Sequence, residues 1–276
     1  MNFWALVSAE WMKAWRRPMH RVLAVLIGGI GLLFTLFMAI RWAAGSNPDM
    51  VREGVAWPRL LLLTAGMLQA MGRIAAVLLA ASIFGGEYSL DTWKMLLPRR
   101  ERRGGLVAAK MAVALAATLI IGALVVAGFV GGGRALAIFT GAPAAPSTTG
   151  DLSVIVRGML CFPIAAALYV ALSGCATVVS RSMFGGILVG LAFLIVIDHA
   201  VSADPVLALS FPAYHLANLQ ALLSGDAGQL DEVQMVFEAE VPLWASAAVV
   251  LGYISALLAA SLAVFGRRDL AGSTGG

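Results

Sequence analysis

The sequence predicts an all-α polytopic membrane protein with six membrane-spanning helices, an N-terminal interfacial helix and a short helix in one charged loop. Three observations predict it. Hydrophobic residues make up 61% of the chain and charged residues 12%, about half the charge of a soluble domain, and the mean hydropathy is +0.90. Six apolar runs approach the roughly 20 residues that a helix needs to cross the hydrocarbon. The basic residues gather in alternate connections between these runs. The chain reads as a single transmembrane domain, 1–276.

The elements follow in order. In residues 1–20, Phe3, Trp4, Val7, Trp11 and Trp15 recur at spacings of three and four, while Glu10, Lys13, Arg16 and Arg17 fall largely elsewhere on the helix. This pattern predicts an amphipathic helix lying in the membrane interface, anchored in lipid by Trp4, Trp11 and Trp15. The alternative is a disordered basic tail, which three tryptophans disfavour. Pro18 should break or bend the helix before the first span.

The spans are expected at 22–40, 60–84, 106–130, 152–179, 184–201 and 243–265. The first is too long for a secretory apolar region of roughly 7–15 residues, so it reads as a retained span. The second carries Arg73, fourteen residues from both Arg59 and Glu87. A charge near the bilayer centre costs at least about 2.5–3.5 kcal/mol. Arg73 therefore lines a substrate path or a subunit interface, or else pairs with Asp198 or snorkels.

A charged stretch, "GGEYSLDTWKMLLPRRERRGGLVAAK" (85–110), separates the second and third spans, with its loop at 86–104. Trp93, Leu96 and Leu97 are spaced to share one face of a short helix that Pro98 ends. An apolar face between charged neighbours fits a partner's groove or lies back on the lipid surface.

After the third span, "VGGGRALAIFTGAPAAPSTTGD" reads as an irregular connection. Cys161 and Cys175 fall in the fourth predicted helix, roughly 21 Å apart, too far to bridge; they read as small core hydrophobes. In the fifth, Gly186 and Gly190 have a close-packing spacing. Residues 202–242 open with "FPAYHLANLQALLSG", a short amphipathic helix containing Pro212, Tyr214, His215 and Asn218. Five acids follow: Asp226, Asp231, Glu232, Glu238 and Glu240.

The N-terminus, the second and fourth loops and the C-terminus hold thirteen Lys and Arg, against five in the other loops (Arg41, Arg52, Arg59, Arg134 and Arg157). The positive-inside bias places both termini in the cytoplasm. A net charge of +4 raises a nucleic-acid partner, but the cations flank apolar spans, where lipid headgroups account for them; none is expected.

The sequence contains neither Gly-x-x-x-x-Gly-Lys-Ser/Thr nor His-Glu-x-x-His, so no nucleotide-binding loop or zinc-protease motif is present. Ser173 with His199 has no motif to support a serine hydrolase. Asp198, His199, Asp204 and His215 could form a metal cluster, although interfacial polar residues explain them as well. Membrane lipid is an expected partner.

Read together, these motifs resemble permeases of the ABC-2 (type-2 ABC exporter) family. In "EYSLDTWKMLLPRRERR", Glu87 matches the family's acid, Thr92 its threonine, Leu96, Leu97 and Pro98 its Leu-Leu-x-Pro element, and Lys110 the lysine that opens the third span. Asp91 stands where the family has glycine, and extra residues precede the lysine. "FPAYHLANLQALLSG" is similar to the segment before the family's last span, and "FGRRDL" to its C-terminal ending.

The resemblance implies a non-catalytic permease subunit of an ATP-driven exporter in the inner membrane. It would form the translocation path and pair with a second permease subunit, identical or related. A separate ATPase subunit would hold ATP and Mg, and this chain would bind no cofactor. The loop with Glu87, Asp91, Thr92, Trp93, Leu96, Leu97 and Pro98 would be the coupling helix docked on that ATPase. The segment with Pro212, Tyr214, His215 and Asn218 would be re-entrant at the outer mouth. An ion-coupled carrier or channel, and less readily a membrane enzyme, are the competing functions.

Overall fold

A computed structural model describes residues 2–57, 59–89, 103–142, 149–197, 210–224 and 241–266. Helix α1 (Phe3–Arg16) meets α2 (Pro18–Gly28) at an elbow where Arg17 has extended backbone, φ −76° and ψ 125°. Pro18 sits in the first turn of α2, where its missing N–H costs nothing. Past Gly29 the helix resumes as α3 (Ile30–Ala43), giving one apolar span, Pro18–Ala43. Helix α4 (Pro48–Val55) follows, with Val51 and Val55 buried against Met38, Leu136 and Ala137.

The remaining elements are α5 (Arg59–Ser89), α6 (Arg103–Thr140), α7 (Thr149–Leu160), α8 (Phe162–Ser180), α9 (Met183–Ala192) with a π-helical turn Phe193–Ile197, α10 (Pro212–Ser224) and α11 (Leu243–Gly266). Five helical stretches are long and apolar enough to cross a membrane: Pro18–Ala43, Arg59–Tyr88, Gly104–Thr140, Val156–Ser180 and Leu243–Phe265. Met183–Ile195 is a shorter apolar helix. It occupies the place of the span expected at 184–201, whose last four residues lie outside the described residues.

Two elements differ from expectation. The glycine-rich stretch after residue 130 is not an irregular connection; α6 runs unbroken to Thr140. Two of its glycines are packing contacts. A Cβ at Gly133 would come within 2.6 Å of the Leu60 side chain, and one at Gly132 would collide with Thr35. Arg134 and Arg157, expected in loops, are accordingly helical. The fourth span is also not one continuous helix. It breaks at Cys161, between α7 and α8, because Pro163 suits only the first turn of a new helix. Cys161 is thus at a junction and Cys175 inside α8; both are free and buried. The Phe162 ring beside the break is seated against Gly72 of α5 and Gly122 of α6, where any Cβ would overlap it.

Helices α5 and α8 form the centre of the bundle, with α6, α9 and α11 packed around them. The apolar window of α5 is 67% buried, against 22% for the first span and 17% for α11. Those last two are therefore peripheral, and side chains such as Val25 and Leu251 face outward, an apolar surface suited to lipid or a second membrane subunit. The first span lies on α6 at a crossing of small residues, Gly31 against Gly128 and the Phe129 backbone.

Candidate functional site

Where α1, the end of α5 and the start of α6 meet, four charged side chains come together. On α1, Leu6, Glu10 and Ala14 are spaced four apart and form its buried stripe. Glu10 thus turns inward onto α6, while Trp4 is well exposed. Lys110 Nζ donates to Glu10 Oε2 at 2.5 Å and to Glu87 Oε1 at 2.9 Å. It also donates to the Ile83 carbonyl at 3.4 Å. Lys13 Nζ reaches Glu10 Oε1 at 2.7 Å and Glu87 Oε1 at 3.4 Å.

The Lys110 side chain is 1% exposed and those of both glutamates 3%, whereas that of Lys13 is 41% exposed. Among the described residues, two carboxylates here face two ammonium groups, so their formal charges balance. That balance, with multiple hydrogen bonds on each group, makes the burial tolerable.

The elbow is fastened to the same part of α5. Arg17 Nη1 donates to the Ser82 carbonyl at 3.0 Å. The guanidinium lies over Gly86, where a Cβ would come within 2.6 Å of Arg17 Cζ. His20 Nδ1 is 2.5 Å from the Ala14 carbonyl and Nε2 is 2.6 Å from Ser82 Oγ. A carbonyl only accepts, so Nδ1 carries a proton.

Of the residues singled out from the charged loop, Glu87 stands in this cluster. Asp91, Thr92, Trp93, Leu96, Leu97 and Pro98 lie outside the described residues. Glu87 and Lys110 flank that stretch on either side and are joined to each other by an ion pair. Sequence reading missed the partner role of Glu10. The available signal was its place on the Leu6–Ala14 stripe, masked by the local pairing that a lysine three residues on suggests.

The other sequence candidates lie elsewhere. Arg73 is at the middle of α5, partly exposed, with its guanidinium 5.9 Å from the centroid of the fully buried Tyr169 ring, a cation–π distance. Asp198 lies outside the described residues. At the opposite end of the bundle, α10 buries Tyr214, His215 and Asn218. Asn218 Nδ2 donates to the Val241 carbonyl at 2.9 Å and to Ser246 Oγ at 2.8 Å. His215 Nδ1 is 3.1 Å from the same hydroxyl, so one serine of α11 holds the helix. Burial raises the Tyr214 pKa above its ordinary value. Pro212 opens α10. On α1, Trp11 stacks on Trp15 with rings 6.2 Å apart.

Ser173, weighed as a nucleophile, is fully buried and bonds the carbonyls of Val77 at 2.9 Å and Gly186 at 3.2 Å. It joins α8 to α5 and α9, where Gly186 and Gly190 allow close approach. Of the four residues in the candidate metal cluster, Asp198, His199 and Asp204 lie outside the described residues. Among the described residues no group of three or more His, Cys, Asp or Glu is placed to hold a metal.

A family model described as ABC-2 family transporter protein matches residues 6–198, more than half of the chain. The match takes in Glu10, Lys13, Arg73, Glu87 and Lys110; α10 and α11 lie beyond it. Comparison with curated proteins finds none that matches.

Proposed function

The chain belongs to the ABC-2 transporter family, and we propose that it is the permease subunit of an ATP-driven exporter, working with a separate ATPase subunit that binds ATP and Mg. The observation that carries this reading is the buried cluster. The two flanks of residues 90–102 are joined by the Glu87–Lys110 pair, and Lys110 is tied to α1 through Glu10 and Glu87 through Lys13. A segment that transmits force from a partner needs such rigid ends. The thirteen-to-five distribution of basic residues supports cytoplasmic termini in an inner membrane, with this segment on the ATPase side. The outward apolar face of α11 suits a second permease subunit, identical or related.

Leu96→Asp with Leu97→Asp tests the docking. The double variant is expected to insert normally, to lose the co-purifying ATPase and to stop transport. Full retention of the ATPase with continued transport would show that this face is not the docking surface.

A further inference from the structure

The elbow opens onto a groove with no role in that coupling. It runs between the first span and α6, with a volume of about 720 Å³. Trp15 and Arg21 stand at one end, Ala24, Gly28, Leu124 and Ala127 along its walls, and Leu32 at the other end. By helix rise, Arg21 to Leu32 covers roughly 16 Å. That is about half of a hydrocarbon core of roughly 30 Å, so the groove spans one leaflet. We propose that it is a binding site for an anionic phospholipid, with one acyl chain along the apolar walls and the phosphate at Arg21 and Arg16.

Charge and shape favour this occupant. Arg21 and Arg16 are both exposed at the elbow, and Arg21 Nη2 donates to the Arg16 carbonyl at 3.3 Å. This bond draws the Arg21 guanidinium towards the end of α1 and leaves further donors for phosphate. Among the described residues no acidic side chain lines the groove. Trp15, 49% exposed, stands beside Arg21 and marks the headgroup level, where amphipathic rings settle. Basic pockets between membrane helices hold anionic headgroups by this chemistry. A second copy of the chain fits less well. In a two-fold pair about the membrane normal the same patch meets itself, bringing the arginines of both copies together at one depth.

The test uses the purified chain in phosphatidylcholine vesicles doped with a phosphatidylglycerol that carries a photoreactive group on its acyl chain. Labelling is expected within residues 15–32 and 124–128, displaced by unlabelled phosphatidylglycerol but not by phosphatidylcholine. Arg21→Gln and Arg16→Gln should each weaken it about fivefold, the factor that ~1 kcal/mol per basic side chain corresponds to. Ala127→Phe keeps both arginines but fills the wall, and should abolish labelling there. Equal labelling by a phosphatidylcholine probe, with the arginine variants unchanged, would overturn the site. So would Val25→Cys forming a disulfide between copies while the groove stays unlabelled, since the occupant would then be a second chain.

Discussion

Replacing Lys110 by methionine removes one ammonium group and leaves its surroundings in place. The consequence follows from the geometry. Glu10 and Glu87, each 3% exposed in the side chain, both approach Lys110 Nζ. Without it two buried carboxylates face each other, with the half-exposed Lys13 beside them. Removing one member of a buried ion network costs about 3–5 kcal/mol. Lys13→Met, at a side chain 41% exposed, should cost less than about 1 kcal/mol.

Glu10→Gln and Glu87→Gln combined with Lys110→Met remove every buried charge at nearly constant volume. This triple variant should return to within about 1 kcal/mol of the wild type, because neutral replacements of buried ion networks are often tolerated. Equilibrium unfolding in mixed micelles gives the energies. Trypsin cleavage after Lys13 and Arg16 reports whether α1 has left the bundle. If Lys110→Met costs no more than Lys13→Met and α1 stays resistant, the cluster does not hold α1.

Three further outcomes are expected. Arg73→Leu should insert and fold but lose transport or assembly, measured by export in cells and by subunit co-purification; normal export would leave Arg73 without a functional role. Gly31→Val forces a side chain into the Gly128–Phe129 backbone and should destabilise the first span's contact with α6 by about 1–3 kcal/mol, read as a lower unfolding midpoint. A reporter fused after Thr274 should be active only in a cytoplasm-sensing form, and activity in a periplasm-sensing form would reverse the proposed topology.

Hydropathy made the helical class legible because a membrane span declares itself within some twenty consecutive residues. Details that depend on a distant partner were not legible. Gly131–Gly132–Gly133 has the composition of a turn, and only Thr35 and Leu60, far away in sequence, make Gly132 and Gly133 a packing surface. Pro163 was a local signal for the break at Cys161, but unbroken hydropathy across the junction concealed it. Glu10 was read with its near neighbours on α1, whereas its closest partner, Lys110, is 100 residues away. The acid and lysine that flank the charged loop were noticed as a motif, and the structure supplies the reason for the pairing. They are opposite charges at 2.9 Å, buried at the two flanks of one loop.

On the proposed coupling, this pairing would set how load passes through the bundle. A pull applied at Ser89 and Arg103 would act on Glu87 and Lys110, whose separation is costly because both are buried, so α5 and α6 would take the load together. Glu10 carries it to α1, and the bonds of Arg17 and His20 to Ser82 bring the elbow back onto α5. Beyond the elbow, the first span is held to α6 by the Gly31–Gly128 crossing and by Gly132 against Thr35. Helix α11 is held by α8, by α6 where Gly104 approaches Leu262, and through Ser246 by α10. On the proposed coupling, motion of α6 would therefore reach the first span through polar bonds and glycine packing, and would reach α11 both through α8 and through its own contact with α6.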